Sequence, residues 1–288
     1  MNKRSKIVTQ VLTVMGVMGL AACSHITSES ESMSNKEKAI AVISSIETGD
    51  PEAISYINAA QYTQHNLAVA DGLAGFGEVL QALPEGSAKA RVKRAIQDDN
   101  YVVLHTEYNF FGPKVGFDVF RFEDGKIVEH WDNLQAIAPV NPSGHTQLDG
   151  STTITDLDKT AANKAIVADF VKTILMNGDM SQINKFIDGE DSAYIQHNPH
   201  IGDGLSGLGK ALEEMANAGL TMKYDTNHKV LGEGNFVLSI SEGVFANEHV
   251  AFYDLFRLDN GKIVEHWDTI EAIPAQSEWK NTNGKFGF

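Results

Sequence analysis

Cysteine is nearly absent from this 288-residue chain, with a single copy at position 23. An intrachain disulfide is thereby excluded in any compartment. Long apolar runs are equally scarce, and the one candidate, Ile7 to Leu20, is too short to cross a bilayer as a stable helix. Basic residues are few, 23 Lys+Arg against 38 Asp+Glu, for a formal charge of −15. That balance argues against a nucleic-acid partner, whose phosphates need a basic surface. No short metal-ligand spacing of the HExxH kind occurs. What remains is globular material, 42% hydrophobic and 8% aromatic, in a length that exceeds one typical domain.

Lys3, Arg4 and Lys6 precede the apolar run, the order of an export signal. Leu20-Ala21-Ala22-Cys23 follows and resembles the bacterial lipobox, which implies lipidation of Cys23 after removal of residues 1–22. Cleavage removes three basic groups and no acidic one, leaving 20 against 38 and a formal charge of −18. Acyl chains rather than surface charge would then hold the protein to a membrane. The expected location is the bacterial cell envelope, on the periplasmic side of the outer membrane. Residues 23–33, polar and serine-rich, read as a tether.

The octapeptide GKIVEHWD occurs twice, at 125–132 and 261–268. Around it, residues 120–137 and 256–273 share twelve of eighteen positions, and residues 62–77 and 194–209 share nine of sixteen. The repeated unit is a whole domain, too long for a solenoid repeat. The expected organisation is a domain over 34–138, a linker over 139–157, a second domain over 158–276 and a tail over 277–288.

In the first copy, Ser34 to Glu37 reads as a capping box ahead of a helix ending at Gly49, and Asp50-Pro51 begins a short second helix. Gly72 to Leu83 can form a third. Strands are expected at 91–97, 101–111, 115–122 and 126–137. The second copy repeats this with helices at 159–176 and 180–187, a shorter one from Leu205, and strands beginning near 221, 235, 250 and 262. Helices followed by an antiparallel meander define an α+β plan.

Alternation along a strand puts His130 and Asp132 on one face and Trp131 on the other. With Glu123-Asp124-Gly125 as a three-residue loop, Asp118 joins them, and Asp254, His266 and Asp268 form the second set. Such a cluster is a satisfied polar network, a metal site or a proton-transfer site. Each copy adds a His-Asn pair, His65-Asn66 and His197-Asn198, which favours a functional pocket. Trp131 and Trp267 are expected to pack a sheet face, holding the copies together as an intramolecular pseudo-dimer.

The QHN segment and the strand-turn-strand DVFRFEDGKIVEHWD resemble the SnoaL-like polyketide cyclases of the nuclear transport factor 2-like superfamily. The resemblance implies two cone-shaped domains, each a curved antiparallel sheet wrapped around helices with a deep apolar cavity. It also implies cofactor-independent acid/base chemistry of the aldol-condensation, cyclase or isomerase type. Asp132 and Asp268 match the family's acid/base, His130 and His266 its histidine, and Asn66 and Asn198 its early asparagine. A family histidine falls at Asp118 and Asp254, so the enolate-stabilising donor is either missing or supplied instead by His65 or His105. Ser239 is expected to replace His105 in the second copy. The partner is a small apolar carbonyl compound, and no cofactor or metal is assigned. The alternative is a non-catalytic lipoprotein that captures a small hydrophobic ligand.

Overall fold

The computed structural model describes residues 33–83, 88–189 and 194–288; Cys23, the export signal and most of the tether lie outside them. The first repeat opens with α1 (Asn35–Thr48), started by the Ser34–Glu37 capping box and stopped at Gly49, whose φ of 69° needs no Cβ. Asp50 then caps α2 (Pro51–Ile54) through Glu52 N. After β1 (Thr63–Gln64) and α3 (Gly72–Ala82) comes an antiparallel meander of β2 (Lys89–Asp98), β3 (Tyr101–Asn109), β4 (Pro113–Glu123) and β5 (Lys126–Ala136). The second repeat has α4 (Thr160–Phe170), a π-helical continuation at Val171–Met176, α5 (Ile183–Phe186), β6 (Ile195–Gln196) and α6 (Gly204–Asn217). Its meander comprises β7 (Met222–Glu233), β8 (Phe236–Phe245), β9 (Glu248–Asp259) and β10 (Lys262–Ala272).

The two sheets have the orders β1-β5-β4-β3-β2 and β6-β10-β9-β8-β7. The architecture is α+β, two five-stranded curved sheets with helices. Three local features differ from the sequence expectation. The two-residue strands β1 and β6 pair in parallel with β5 and β10 and are too short to show any alternation. Helix α6, at 14 residues, is longer than the 11-residue α3 rather than shorter. The expected three-residue hairpin loop is instead a two-residue Asp124-Gly125 turn, with both residues at positive φ.

A tight turn alone would put Asp118 opposite Trp131. The register instead shifts between Arg121 and Phe122, where Val128 is the extra residue of a bulge, and Asp118 comes to lie opposite Asp132. The Asn260-Gly261 turn and a bulge at Val264 repeat this, pairing Asp254 with Asp268. The bulge also turns Ile127 to the helix side, where it packs with Ala39, Val42 and Phe122.

Each sheet has a helix-covered inner face with its own apolar core. The outer faces pack on each other: Phe117, Val119 and Trp131 of the first repeat join Tyr253, Leu255 and Trp267 of the second in one buried cluster. Each tryptophan is at most 1% exposed. At roughly 25 cal/mol per Å² over about 200 Å², burying each contributes up to about 5 kcal/mol. Asn133 and Thr269, equivalent positions 136 residues apart, meet where the sheets cross, with Asn133 Nδ2 donating to Thr269 O at 2.9 Å and Oγ1 at 3.0 Å. Residues 33–288 cluster as one compact unit. Among the described residues, no helix is long and apolar enough to cross a membrane.

The segments beyond β5 and β10 are ordered arms, and each lies on the other repeat. Asn141 Nδ2 donates to Gln196 O at 2.6 Å and Ile201 O at 3.0 Å. Asn281 Nδ2 donates to Asn66 O at 2.8 Å and Val69 O at 2.9 Å. The sequences Asn-Pro-Ser-Gly-His (141–145) and Asn-Thr-Asn-Gly-Lys (281–285) therefore do the same work. Gly144 and Gly284 turn at φ of 87° and 75°.

Candidate functional site

Asp118, His130 and Asp132 are at most 8% exposed on the inner face of β4 and β5. His130 Nε2 lies 3.2 Å from Asp118 Oδ1, and His130 Nδ1 lies 2.9 Å from Gln64 Oε1. That amide oxygen also accepts Asn66 N at 2.9 Å, so His130 Nδ1 carries a proton and donates it. One further proton can then sit on either side of the Asp118–His130 contact. Tyr108 donates to Asp118 Oδ2 at 2.5 Å. Asn66 Nδ2 donates to Asp132 Oδ2 at 2.6 Å, while Asp132 Oδ1 is buried without a hydrogen bond. Lys285 Nζ, from the second repeat's arm, is 3.8 Å from that oxygen, within ion-pair range, and is itself held by Glu271 at 2.5 Å.

The second site repeats the histidine, glutamine and asparagine contacts of the first. His266 Nε2 is 3.1 Å from Asp254 Oδ1, and His266 Nδ1 is 3.0 Å from Gln196 Oε1. Asn198 Nδ2 donates to Asp268 Oδ2 at 2.7 Å, and Asp268 Oδ1 is again buried without a hydrogen bond. Tyr224 donates to Asp254 Oδ1 at 3.2 Å.

Burial pushes the Asp118 carboxyl up, against the pull of His130. Burial also raises Asp268, helped by the charge of Asp254. On His266 burial acts downward, but the Asp254 hydrogen bond and the charges of Asp268 and Asp254 win and raise it. Desolvation and the neighbouring aspartates likewise hold the Tyr108 and Tyr224 hydroxyls protonated, as donors.

Of the residues expected at the sites, Asp118, His130, Asp132 and Asn66 converge, as do Asp254, His266, Asp268 and Asn198. His65, His197 and His105 do not. In the QHN segments, which begin at the last residue of β1 and β6, the glutamine and asparagine bond the triad while the histidine stacks on the tryptophan of the opposite face. His65 stacks on Trp131 at 4.6 Å and bonds Glu129 at 2.8 Å. His197 stacks on Trp267 at 4.6 Å and bonds Glu265 at 3.0 Å. His105 stacks on Phe117 at 4.4 Å and contacts Arg94 Nη1 at 3.0 Å. None of the three can assist an enolate at the triads. Register also corrects one equivalence: His105 lies opposite Phe117 and Ile240 opposite Tyr253, so Ile240, and not Ser239, is the counterpart of His105.

Four residues of the sites were not foreseen. Gln64 and Gln196 were identifiable from the repeated QHN. Tyr108 and Tyr224 were not, because they are not equivalent. Ala90 lies opposite Tyr108 and Tyr224 opposite Gly243, so large and small exchange strands between repeats. Every triad member is buried, at most 8% exposed. A cavity of about 380 Å³, lined by Ala168, Lys172, Met176, Asp225, Thr226 and Asn227, contains no triad residue.

The class defined by the fold is α+β, two five-stranded curved sheets with helices, each turning two aspartates and a histidine inward. Residues 39–130 match the family described as SnoaL-like domain, about a third of the chain. No curated protein matches the chain. Solved structures similar to it include an NTF2-like protein of unknown function from Cytophaga hutchinsonii, 14% identical, covering 37% of this chain and 94% of that one, with a TM-score of 0.32. IdmH from Streptomyces antibioticus, a candidate polyketide cyclase, is 16% identical over 36% and 93% of the two chains, with a TM-score of 0.32. A cystatin-fold protein from Novosphingobium aromaticivorans is 23% identical over 35% and 98%, also with a TM-score of 0.32.

Proposed function

We propose that the chain catalyses cofactor-independent proton transfer on a small carbonyl compound, as in aldol, cyclase or isomerase chemistry, at one or both triads. The observation that carries this reading is a buried carboxyl oxygen that accepts no hydrogen bond, Asp132 Oδ1 in one repeat, 3.8 Å from Lys285 Nζ, and Asp268 Oδ1 in the other. A buried acceptor without a donor is costly unless it has a use. Here it is oriented by an asparagine on its other oxygen, beside a histidine–aspartate pair that can hold a proton. Asp132 or Asp268 would take a proton alpha to the carbonyl. The proton held between His130 and Asp118, or between His266 and Asp254, would pass to the enolate oxygen when the substrate displaces that contact. Substrate entry requires the covering side chains to move, because every triad member is at most 8% exposed. That same enclosure favours the second reading, capture of a small hydrophobic ligand without turnover. Lipidation at Cys23 and residence in the cell envelope belong to the proposal as well.

The test is alpha-proton exchange into deuterated solvent, followed by NMR for a panel of small ketones and beta-dicarbonyls. Asp132→Asn with Asp268→Asn should lower the rate by about 10²- to 10⁴-fold. A double variant that matches the parent on every substrate the parent converts overturns the catalytic reading.

A further inference from the structure

We propose that His145, Asp149 and His197 bind a divalent transition-metal ion of the zinc class, at a site separate from both triads. The site lies where the arm of residues 141–151 crosses the second repeat, and it is independent of the catalytic reading above. One ligand atom from each of the three side chains lies within 4.8 Å of the others. Small rotamer adjustments close that spread around an ion whose ligands stand at about 2.0–2.2 Å.

His197 Nδ1 is the point of convergence, with Asp149 Oδ1 at 2.8 Å and Thr146 O at 2.8 Å. Its Nε2 faces Glu265 Oε1 at 3.0 Å. Glu265 accepts on both oxygens, from Ser151 N on Oε1 at 3.2 Å and from Arg257 Nε on Oε2 at 2.5 Å, so it faces His197 as an acceptor. The ring proton therefore belongs on Nε2, which leaves the Nδ1 lone pair aimed at two further acceptors with no donor among them. A cation resolves that convergence. His145 has the same construction: its Nε2 lies 3.1 Å from Asp203 Oδ2, and among the described residues no hydrogen bond engages its Nδ1. An imidazole with one nitrogen held by a carboxylate is how metal-ligating histidines are oriented. Two imidazoles and one carboxylate suit Zn²⁺, Co²⁺ or Ni²⁺ rather than Mg²⁺ or Ca²⁺.

The site is pre-ordered from several sides. His197 stacks on Trp267, Trp267 Nε1 donates to Asp149 O at 2.9 Å, and Arg94 of the first repeat donates to Leu148 O at 3.2 Å and Ser151 O at 2.7 Å. Asp149 is 46% exposed, which gives an ion a route in from solvent. The first repeat lacks the set, because Lys285, an ammonium, stands in the arm where His145 does.

The experiment is a Co²⁺ titration of the purified, chelator-treated full chain, followed by visible absorption, with Zn²⁺ competition and metal analysis. One equivalent should bind, and Zn²⁺ should displace it. Asp149→Asn and His145→Ala should each weaken binding at least tenfold, and Glu265→Gln about 10- to 100-fold. His130→Gln should leave the affinity unchanged. Should His145→Ala fail to fold, Asp149→Asn, at a half-exposed position, still gives the answer. The proposal is overturned by no uptake, as a second proton on His197 would predict. It is equally overturned by binding that survives Asp149→Asn, or by binding that is lost in His130→Gln.

Discussion

In the first repeat the tyrosine that donates to the inner aspartate stands on β3; in the second it stands on β7. The partner position across the ladder is alanine in one case and glycine in the other. The hydroxyl reaches the same carboxylate from a different strand. What the two repeats share is thus a contact rather than a residue position. The surroundings of the second aspartate differ more: Lys285 and Glu271 approach Asp132, whereas from the first repeat the neutral Gln135, the counterpart of Glu271, donates no charge and bonds Ile270 N at 2.9 Å. The two sites share one proton-transfer geometry under two different electrostatic settings.

The largest effect that tests this comparison is at the shared face. Trp131→Ala should destabilise the chain by about 3–5 kcal/mol in urea unfolding. Trp267→Ala should cost at least as much, since Arg94 also packs over that ring at 4.1 Å. Equal and negligible losses would mean that the sheets are not held by these side chains.

Next come the tyrosines. Tyr108→Phe and Tyr224→Phe should each cost about 1–3 kcal/mol by leaving a buried carboxylate short of a donor. Tyr108→Gly with Ala90→Tyr rebuilds the second repeat's arrangement inside the first. It should recover most of what Tyr108→Gly alone loses, and failure to do so would make the position, not the contact, the thing retained.

A pH series separates the histidines' settings. His266 is raised in the folded state, so its stabilising contribution is complete below about 6.5 and is lost as pH rises through the higher folded value. The stability of His266→Gln should therefore fall less steeply above neutral pH than that of the parent. Asp118 and Asp268, also raised, add losses of the same sign beginning at lower pH. Glu129 and Glu265, held low by their histidine and arginine partners despite burial, act oppositely and weaken the fold as pH falls.

The smallest effect is at the arms. Asn141→Ala and Asn281→Ala should each cost about 1 kcal/mol. Each should speed hydrogen exchange in the QHN segment of the opposite repeat and not in its own.

Much of this was readable in the residues. The octapeptide and the QHN segment established the repeat, the Ser34–Glu37 box and Asp50-Pro51 located helix starts, and Asp-Gly with flanking alternation located the hairpins. Three things were hidden for physical reasons. A bulge such as Val128 has no composition of its own, so the expected grouping of Asp118 with His130 and Asp132 holds by a different route from the one expected. His65 looked like a site residue because its neighbour Asn66 is one, yet in the extended segment after β1 the Asn66 side chain reaches Asp132 while His65 stacks on Trp131. The arms showed no periodicity because they are recognised by side-chain amides and glycine turns, and their short common pattern, Asn-x-x-Gly, is visible only once both are seen gripping the same loop.

Those crossed arms carry a consequence for how the protein can be divided. A gene cut between residues 151 and 158 would yield a front half whose QHN loop has lost its clasp and a back half in the same condition, each with a tryptophan face turned to water. The smallest autonomous piece is then the pair. Two separately produced halves should regain order only when mixed, at a rate that depends on their concentration.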